Sequence, residues 1–125
     1  MKTLLYKEEV YTIVGAAMEV HRELKSGFLE SVYEEALRLE FDEQNIPYKN
    51  QVQLKIHYKG NVLEKKFRAD FLCYDQIVLD IKHQKSLTDI DTAQILNYLR
   101  ITEKRVGLLI NFGNIQKLEW KRFVN

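Results

Sequence analysis

The stretch of sequence that decides the fold is residues 68–83, RADFLCYDQIVLDIKH. Two runs rich in strand-forming residues flank a turn signal at residues 74–76, and this arrangement predicts an antiparallel hairpin. Each run carries an acid in otherwise apolar surroundings, Asp70 in the first and Asp80 in the second, and Lys82 follows Asp80 by two residues. A charge at such a position is costly to bury unless it has a partner, a metal ion or a chemical role.

Strand geometry relates these charges to one another. Asp80 and Lys82 are two residues apart, so both side chains point to the same face of the sheet. If the two strands pair about the turn, Asp70 lies close to Asp80 across the hairpin, with Arg68 on its own face. Two carboxylates at that separation repel each other unless a cation lies between them. Mg²⁺ or Mn²⁺, hard cations that prefer oxygen ligands, suits such a site, and the pattern predicts phosphodiester chemistry.

Two helices are predicted before the hairpin. Apolar residues recur at helical spacing over residues 4–24, and Ser26-Gly27 ends this first helix. A second helix spans residues 29–44 and stops at Asn45-Ile46-Pro47. The apolar stripe predicted for the first helix consists of Val10, Ile13, Val14, Ala17, Met18 and His21.

Period-two patterning predicts three strands, over residues 51–59, 62–74 and 77–82, with a tight turn at residues 59–61. In the second of these strands, one face is predicted to carry Leu63, Phe67, Ala69 and Phe71.

The rest of the chain predicts a parallel crossover. Thr88 is a candidate N-cap for a helix that runs to about Thr102. The apolar run at residues 105–112 is typical of a strand covered on both faces, and a last strand follows through residues 118–123. A strand–helix–strand step requires a parallel connection. The predicted fold class is therefore α/β, of the α+β type with a mixed sheet flanked by helices.

Composition restricts the functional classes. A chain of 125 residues suits one domain, residues 1–125, and a net charge of +1 gives no global signature of a nucleic-acid binder. Any such binding must come from a local patch. No apolar run is long enough to span a bilayer, so no membrane partner is expected. Cys73 is the only cysteine, which fits a reducing cytoplasm and favours a cytoplasmic location.

The charged hairpin resembles the active-site motif of the PD-(D/E)XK nuclease superfamily, with Asp70 followed by Asp80-Ile81-Lys82. Residues 27–33, GFLESVY, resemble the signature of the GxxExxY family within it, and they supply Glu30 from the preceding helix. Residues 94–98, QILNY, are similar to the QxxxY element of RecB-type nucleases. The resemblance extends over residues 4–123.

The resemblance implies a fold and a set of roles. The fold would be a restriction-endonuclease-like αβββαβ core with an extra N-terminal helix. Lys82 would be the catalytic lysine. Asp80 departs from the glutamate common at this position, and His83 follows Lys82 where a small residue is common. The implied metal ligands for Mg²⁺ or Mn²⁺ are Asp70, Asp80 and Glu30, and the implied substrate-positioning residues are Gln94, Tyr98 and Arg68.

Alternatives stay open at this point. The acids and Lys82 could form a structural ion pair on an exposed sheet face. Glu30 and Tyr33 could be an ordinary helical turn, with Glu30 capping the preceding loop. Gln94 and Tyr98 could be a plain helix edge.

The functional alternatives are also open. The first hypothesis is a nuclease that attacks DNA, in preference to RNA, with a metal-activated water. The second is a nucleic-acid- or protein-binding module of the same fold without turnover, and the third is a phosphoesterase for small nucleotides. Apolar residues near the C-terminus leave room for a homodimer or a protein partner.

Overall fold

The computed structural model describes residues 4–125, which form three helices and a five-stranded mixed sheet. This confirms the predicted α/β class and the predicted order of elements. The helices and strands are α1 (Lys7–Leu24), α2 (Glu30–Glu43), β1 (Tyr48–Tyr58), β2 (Asn61–Cys73), β3 (Ile77–Lys82), α3 (Asp89–Thr102), β4 (Val106–Asn111) and β5 (Glu119–Val124).

The five strands lie in the sheet in their sequence order. All neighbours are antiparallel except β3 and β4, which run parallel from Ile77 opposite Val106 to Lys82 opposite Asn111. α3 connects these two strands. Every residue of β4 is buried, as expected for a strand covered on both faces.

Two apolar cores cover the two faces of the sheet. α1 and α2 pack on one face, over side chains that include Ile77, Leu79 and Ile81 of β3. α3 packs on the other face through Ile95 and Leu99. Close approach of α3 depends on a glycine: a Cβ at Gly107 of β4 would lie 3.0 Å from Ile95 Cδ1.

The prediction that Phe67, Ala69 and Phe71 share a face is wrong. Phe67 and Ala69 pack under α3, whereas Phe71 packs under α1 and α2. The neighbouring strand switches faces at the same level, because Tyr48 packs on the α1–α2 side and Val52 on the α3 side although both have even numbers. The register stays constant across the switch, with Phe71 opposite Asn50 and Ala69 opposite Val52.

The cause of the face switch is local backbone conformation. Gln51, which lies between these pairs, has a φ of 55° in the left-handed region, so the strand does not alternate there. Period-two patterning assumes regular extended backbone and has no means of detecting such a residue.

Two details of α1 also differ from prediction. Met18 is 50% exposed and does not belong to the buried stripe, which instead includes Ala16 and Val20. The residue that leaves the helix with a positive φ is Lys25 (59°), two residues before the predicted glycine. Within residues 4–125, no helix is both long enough and apolar enough to cross a membrane.

Candidate active site

A fork between β2 and β3 forms the centre of the site. The two strands pair from Cys73 opposite Ile77 to Phe71 opposite Leu79, and the next pair in that register would be Asp70 and Asp80. Side chains complete the pairing there, because Asp80 Oδ1 accepts a hydrogen bond from the Asp70 N–H at 3.1 Å. Asp70 Oδ2 accepts one from the Ile81 N–H at 2.8 Å. The predicted proximity of the two acids across the hairpin is therefore present.

A cleft of about 260 Å³ opens at this fork. It is walled by β2 and β3, with α2 and α3 each contributing side chains. All seven residues singled out from the sequence lie on it, together with Phe67 and Ile81. The full lining is Glu30, Phe67, Arg68, Asp70, Asp80, Ile81, Lys82, Gln94 and Tyr98.

The carboxyl groups in the cleft have raised pKa values. Burial raises the pKa of Asp80 to about 7, and the charges of Asp70 and Glu30 act in the same direction against the Asp70 N–H and Lys82. Burial is also the main reason that the pKa of Asp70 lies above its usual range. For Glu30, burial raises the pKa first and the charge of Asp70 second. Three acids that disfavour one another's charge form a site that a cation would stabilise.

Lys82 is held from the opposite side by Asp91. Its Nζ lies 4.0 Å from Asp91 Oδ1, and both side chains are largely shielded from solvent. Asp91 also completes a capping box with Thr88 at the start of α3. Burial acts to raise the pKa of Asp91, but hydrogen bonds from Thr88 and Gln84 hold it below its usual range. The start of α3 therefore presents a stable anion to Lys82.

Glu30 is the first residue of α2 and faces the cleft. The N-cap residue before it is Leu29, and no side-chain hydrogen bond caps this end of the helix. Tyr33 fixes the loop instead. Its buried hydroxyl donates to the Lys25 carbonyl at 2.6 Å and accepts from the Phe28 N–H at 3.2 Å. Tyr33 is thus a core residue, and it anchors the segment that leads into Glu30.

The α3 side of the cleft carries Gln94 and Tyr98. The Tyr98 ring stacks on Phe67 of β2, with centroids 3.8 Å apart and planes inclined by 20°. This contact ties α3 to β2 across the fork. Gln94 and Arg68 are exposed on the cleft rim. The side chains of Gln94 and Tyr98 on α3 therefore line the same cleft as the three acids.

Sequence reasoning missed a second hydrogen-bonded layer behind Asp70. The Gln51 side chain donates to Asp70 Oδ1 at 3.3 Å and to both carboxylate oxygens of Glu34 at 3.0 Å. Glu34 lies one helical turn after Glu30, and this i, i+4 spacing places both carboxylates on one face of α2, which could have been recognised from the sequence. The position of Gln51 had no sequence signal, because it follows from the left-handed backbone there.

Asn111 at the end of β4 was also missed. It is fully buried, accepts from the Gln84 N–H at 2.9 Å, and donates to the Gln84 carbonyl at 2.8 Å and to Glu119 Oε1 at 3.0 Å. These bonds hold the loop between Lys82 and α3. A larger cavity of about 650 Å³ lies beside this loop, between residues 83–86 and 113–116, and it contains none of the cleft acids.

The donor set fits a divalent cation by its chemistry. Three carboxylates and no thiolate or imidazole line the cleft, which is the set that Mg²⁺ and Mn²⁺ prefer. Across residues 4–125, no three His, Cys, Asp or Glu side chains already converge around one point. Asp70 is instead turned toward Ile81 and Gln51. Asp70, Asp80 and Glu30 are the residues that would hold the ion.

Comparison with known proteins identifies a family. The model of the PD-(D/E)XK nuclease superfamily matches residues 7–123. The crystal structure of SSO0001 is similar with a TM-score of 0.59 and 20% identity, over 96% of this chain and 59% of that one. The chain thus spans less than two thirds of SSO0001, and the likeness shows the fold alone. An alkaline exonuclease (LHK-Exo) from Laribacter hongkongensis gives a TM-score of 0.47 and 11% identity, over 99% and 72% of the two chains. No curated protein matches this chain.

Proposed function

The chain belongs to the PD-(D/E)XK nuclease superfamily, and on that premise we propose that it is a divalent-metal-dependent nuclease whose active site is the cleft at the β2–β3 fork. The observation that carries the proposal is the convergence of Glu30, Asp70, Asp80 and Lys82 on one cleft from three separate elements. A structural ion pair on a sheet face would not require a carboxylate from α2.

Each side chain has a separate part in the proposed reaction. Asp70, Asp80 and Glu30 would hold the ion, Mg²⁺ or Mn²⁺, which when bound would supply an activated water and charge stabilisation at the phosphoryl group. Lys82, steadied by Asp91, stabilises the negative charge that develops on the phosphoryl oxygens. Gln94 and Tyr98 orient the scissile phosphate from α3, and Arg68 contacts a neighbouring phosphate from the rim.

Three narrower assignments belong to the same proposal. Tyr33 and Glu30 suit membership of the GxxExxY group, because the tyrosine anchors the loop that leads into the glutamate at the start of α2. We propose DNA as the preferred substrate over RNA. The lone buried Cys73 supports a cytoplasmic location.

Cleavage assays test this proposal directly. Labelled single-stranded DNA, duplex DNA and RNA are incubated with Mg²⁺ or Mn²⁺, and with EDTA as the metal-free control. We expect Asp80→Asn and Lys82→Ala to lose at least about a hundredfold in rate. Asp75→Asn is the matched control, because Asp75 is exposed and away from the cleft. Equal rates for all four proteins would overturn the proposal.

Thermal unfolding separates metal binding from turnover. An ion that binds only the folded chain raises the melting temperature, by an amount set by its concentration relative to Kd. We expect Mn²⁺ to raise the melting temperature for the wild type and for Asp75→Asn but not for Asp70→Asn.

Cleavage of free nucleotides but not polymers would favour a small-molecule phosphoesterase. Nucleic-acid binding without any cleavage would favour the non-catalytic interpretation.

A further inference from the structure

The β1–β2 hairpin carries most of the positive charge near the cleft. Residues 53–68, named here the basic ribbon, contain five basic side chains and one acid, Glu64. The ribbon therefore has a net charge of +4, which leaves −3 for the rest of a chain whose total is +1. All of these charged side chains are exposed. The five basic residues are Lys55, Lys59, Lys65, Lys66 and Arg68.

One face of the ribbon is free and the other is packed. Leu54 and Phe67 are opposite each other and lie against α3. The alternate residues point away from α3, and there Lys55 lies directly opposite Lys66. In the next cross-strand pair on this face, Arg68 lies opposite Gln53 and reaches the cleft. The free face thus presents a row of cations that begins at the active site.

The five basic side chains of the ribbon make no ion pair with a described residue, and Lys59 alone lies over an aromatic ring, with its Nζ 5.5 Å from the centroid of Tyr58. Among residues 4–125, no carboxylate lies within ion-pair distance of any of the five basic side chains of the ribbon. Like charges placed directly opposite each other on neighbouring strands destabilise a sheet, so Lys55 and Lys66 lower the stability of the free chain. A ligand with repeated negative charges would relieve that repulsion.

We propose that the basic ribbon binds the phosphate backbone of a nucleic acid and leads the strand into the cleft. This proposal rests on the proposed nuclease function and adds where the substrate lies. Arg68 and Lys66 are successive side chains on one strand face, about 6.7 Å apart, and both follow the strand away from Asp70. A linear polyanion fits such a row better than a single anion does. Contacts of this kind hold the backbone and do not read sequence.

The test is the salt dependence of nucleic-acid binding in EDTA, where no cleavage occurs. Fluorescence anisotropy measures the affinity of wild type and Lys55→Gln/Lys66→Gln for labelled duplex and single-stranded oligonucleotides from 50 to 200 mM salt. We expect the double variant to bind about tenfold more weakly at 50 mM salt. The slope of log affinity against log salt should shrink by about 1.4 to 1.8, because two phosphate contacts are lost.

A matched control distinguishes the general loss of two positive charges from their loss at the ribbon. Lys117→Gln/Lys121→Gln removes the same charge from exposed lysines outside the ribbon, and we expect it to leave both the affinity and the slope nearly unchanged. We also expect Lys66→Gln to melt at the same or a higher temperature than wild type, because it removes the opposed lysine pair. Equal weakening by both double variants, or no binding by the wild type, would overturn the proposal.

The experiments give different results if the ribbon proposal is wrong and if the proposed nuclease function is wrong. Hydrolysis of a small activated phosphodiester such as bis(p-nitrophenyl) phosphate needs the cleft and not the ribbon. We expect Lys55→Gln/Lys66→Gln to retain this activity with Mn²⁺ and to lose activity on oligonucleotides. If the ribbon double variant binds and cleaves oligonucleotides as the wild type does, the ribbon proposal is wrong and the active site stands. If the wild type binds in a ribbon-dependent way but hydrolyses neither substrate, the nuclease function is wrong.

Discussion

Where the pairing of β2 and β3 ends, the carboxylates of Asp70 and Asp80 accept hydrogen bonds in place of backbone carbonyl groups. Asp80 Oδ1 accepts from the Asp70 N–H at 3.1 Å, and the Asp70 carboxylate accepts from the N–H that follows Asp80 in the chain, at 2.8 Å. The strands can therefore separate without leaving these two N–H groups unpaired. The same separation opens the cleft, so the acids both terminate the hairpin pairing and line the site.

Stability without metal should fall as pH rises, because of Asp80. Its pKa of about 7 in the folded chain exceeds the value of 3.8 for an ordinary aspartate, so the folded chain holds the proton more tightly than the unfolded chain does. The contribution of Asp80 to the free energy of unfolding is therefore greatest below pH 4. It decreases as the pH rises to 7 and stays low above pH 7. We expect Asp80→Asn, which cannot ionise, to be more stable than wild type at pH 8 by on the order of a few kcal/mol. Urea unfolding in EDTA at pH 5 and pH 8 measures this.

The control for that experiment is Asp75→Asn, which alters an exposed acid. Its stability relative to wild type should hardly depend on pH. A wild-type stability that rises between pH 5 and pH 8, with no gain from Asp80→Asn, would contradict the environment described for Asp80.

Removing the Tyr33 hydroxyl should weaken both the fold and the site. Tyr33→Phe keeps the ring stacked on Phe112 but loses the hydrogen bonds to Lys25 and Phe28. We expect a loss of about 1 to 2 kcal/mol in unfolding free energy, with faster amide exchange at Phe28 and slower cleavage. Tyr11→Phe is the matched control, because Tyr11 is 82% exposed. Identical exchange at Phe28 in both variants would show that the hydroxyl does not anchor the loop.

Asn111→Ala should destabilise the chain strongly. The substitution leaves the partly buried N–H and carbonyl of Gln84 without the side chain of the fully buried Asn111 as their partner, and we expect a cost of about 3 kcal/mol. Asn114→Ala removes a similar side chain from an exposed turn and should cost less than about 1 kcal/mol. Chemical denaturation of both variants measures the difference, and comparable losses would argue against a special role for Asn111.

Two glycine substitutions should act in opposite directions. A Cβ at Gly113 would clash with the Gln84 backbone nitrogen, so Gly113→Ala must displace the loop that follows Lys82. We expect it to cost several kcal/mol and to reduce activity. A Cβ at Gly15, inside α1, meets nothing within 4 Å, and Gly15→Ala should stabilise by about 0.5 to 1 kcal/mol. Thermal melts compare them, and stabilisation by Gly113→Ala would contradict the packing described.

Much of the candidate site was predictable because it depends on local rules. The parity of Asp80 and Lys82, the turn after Cys73 and the cap at Thr88 each involve neighbours in sequence, and all are present. The face of Phe71 was not predictable, since it depends on the backbone at Gln51 in another strand.

The partners of the charged residues required the tertiary structure. Asp91 could be recognised as an acid in the first turn of α3, but its position 4.0 Å from Lys82 depends on how α3 packs on the sheet. Likewise, the net charge of +1 for the whole chain does not reveal that the ribbon has a net charge of +4. The placement of Lys55 opposite Lys66 depends on the register of β1 against β2.

The amino-acid sequence by itself determined the order of helices and strands and the hairpin that carries Asp70, Asp80 and Lys82. These follow from periodicity and short-range chemistry, which act within a few residues. Only the tertiary structure decided where β2 and β3 separate, which face each half of β2 presents, and which anion steadies Lys82. Those features arise from packing between elements distant in the chain, where one left-handed residue can exchange the faces of two strands.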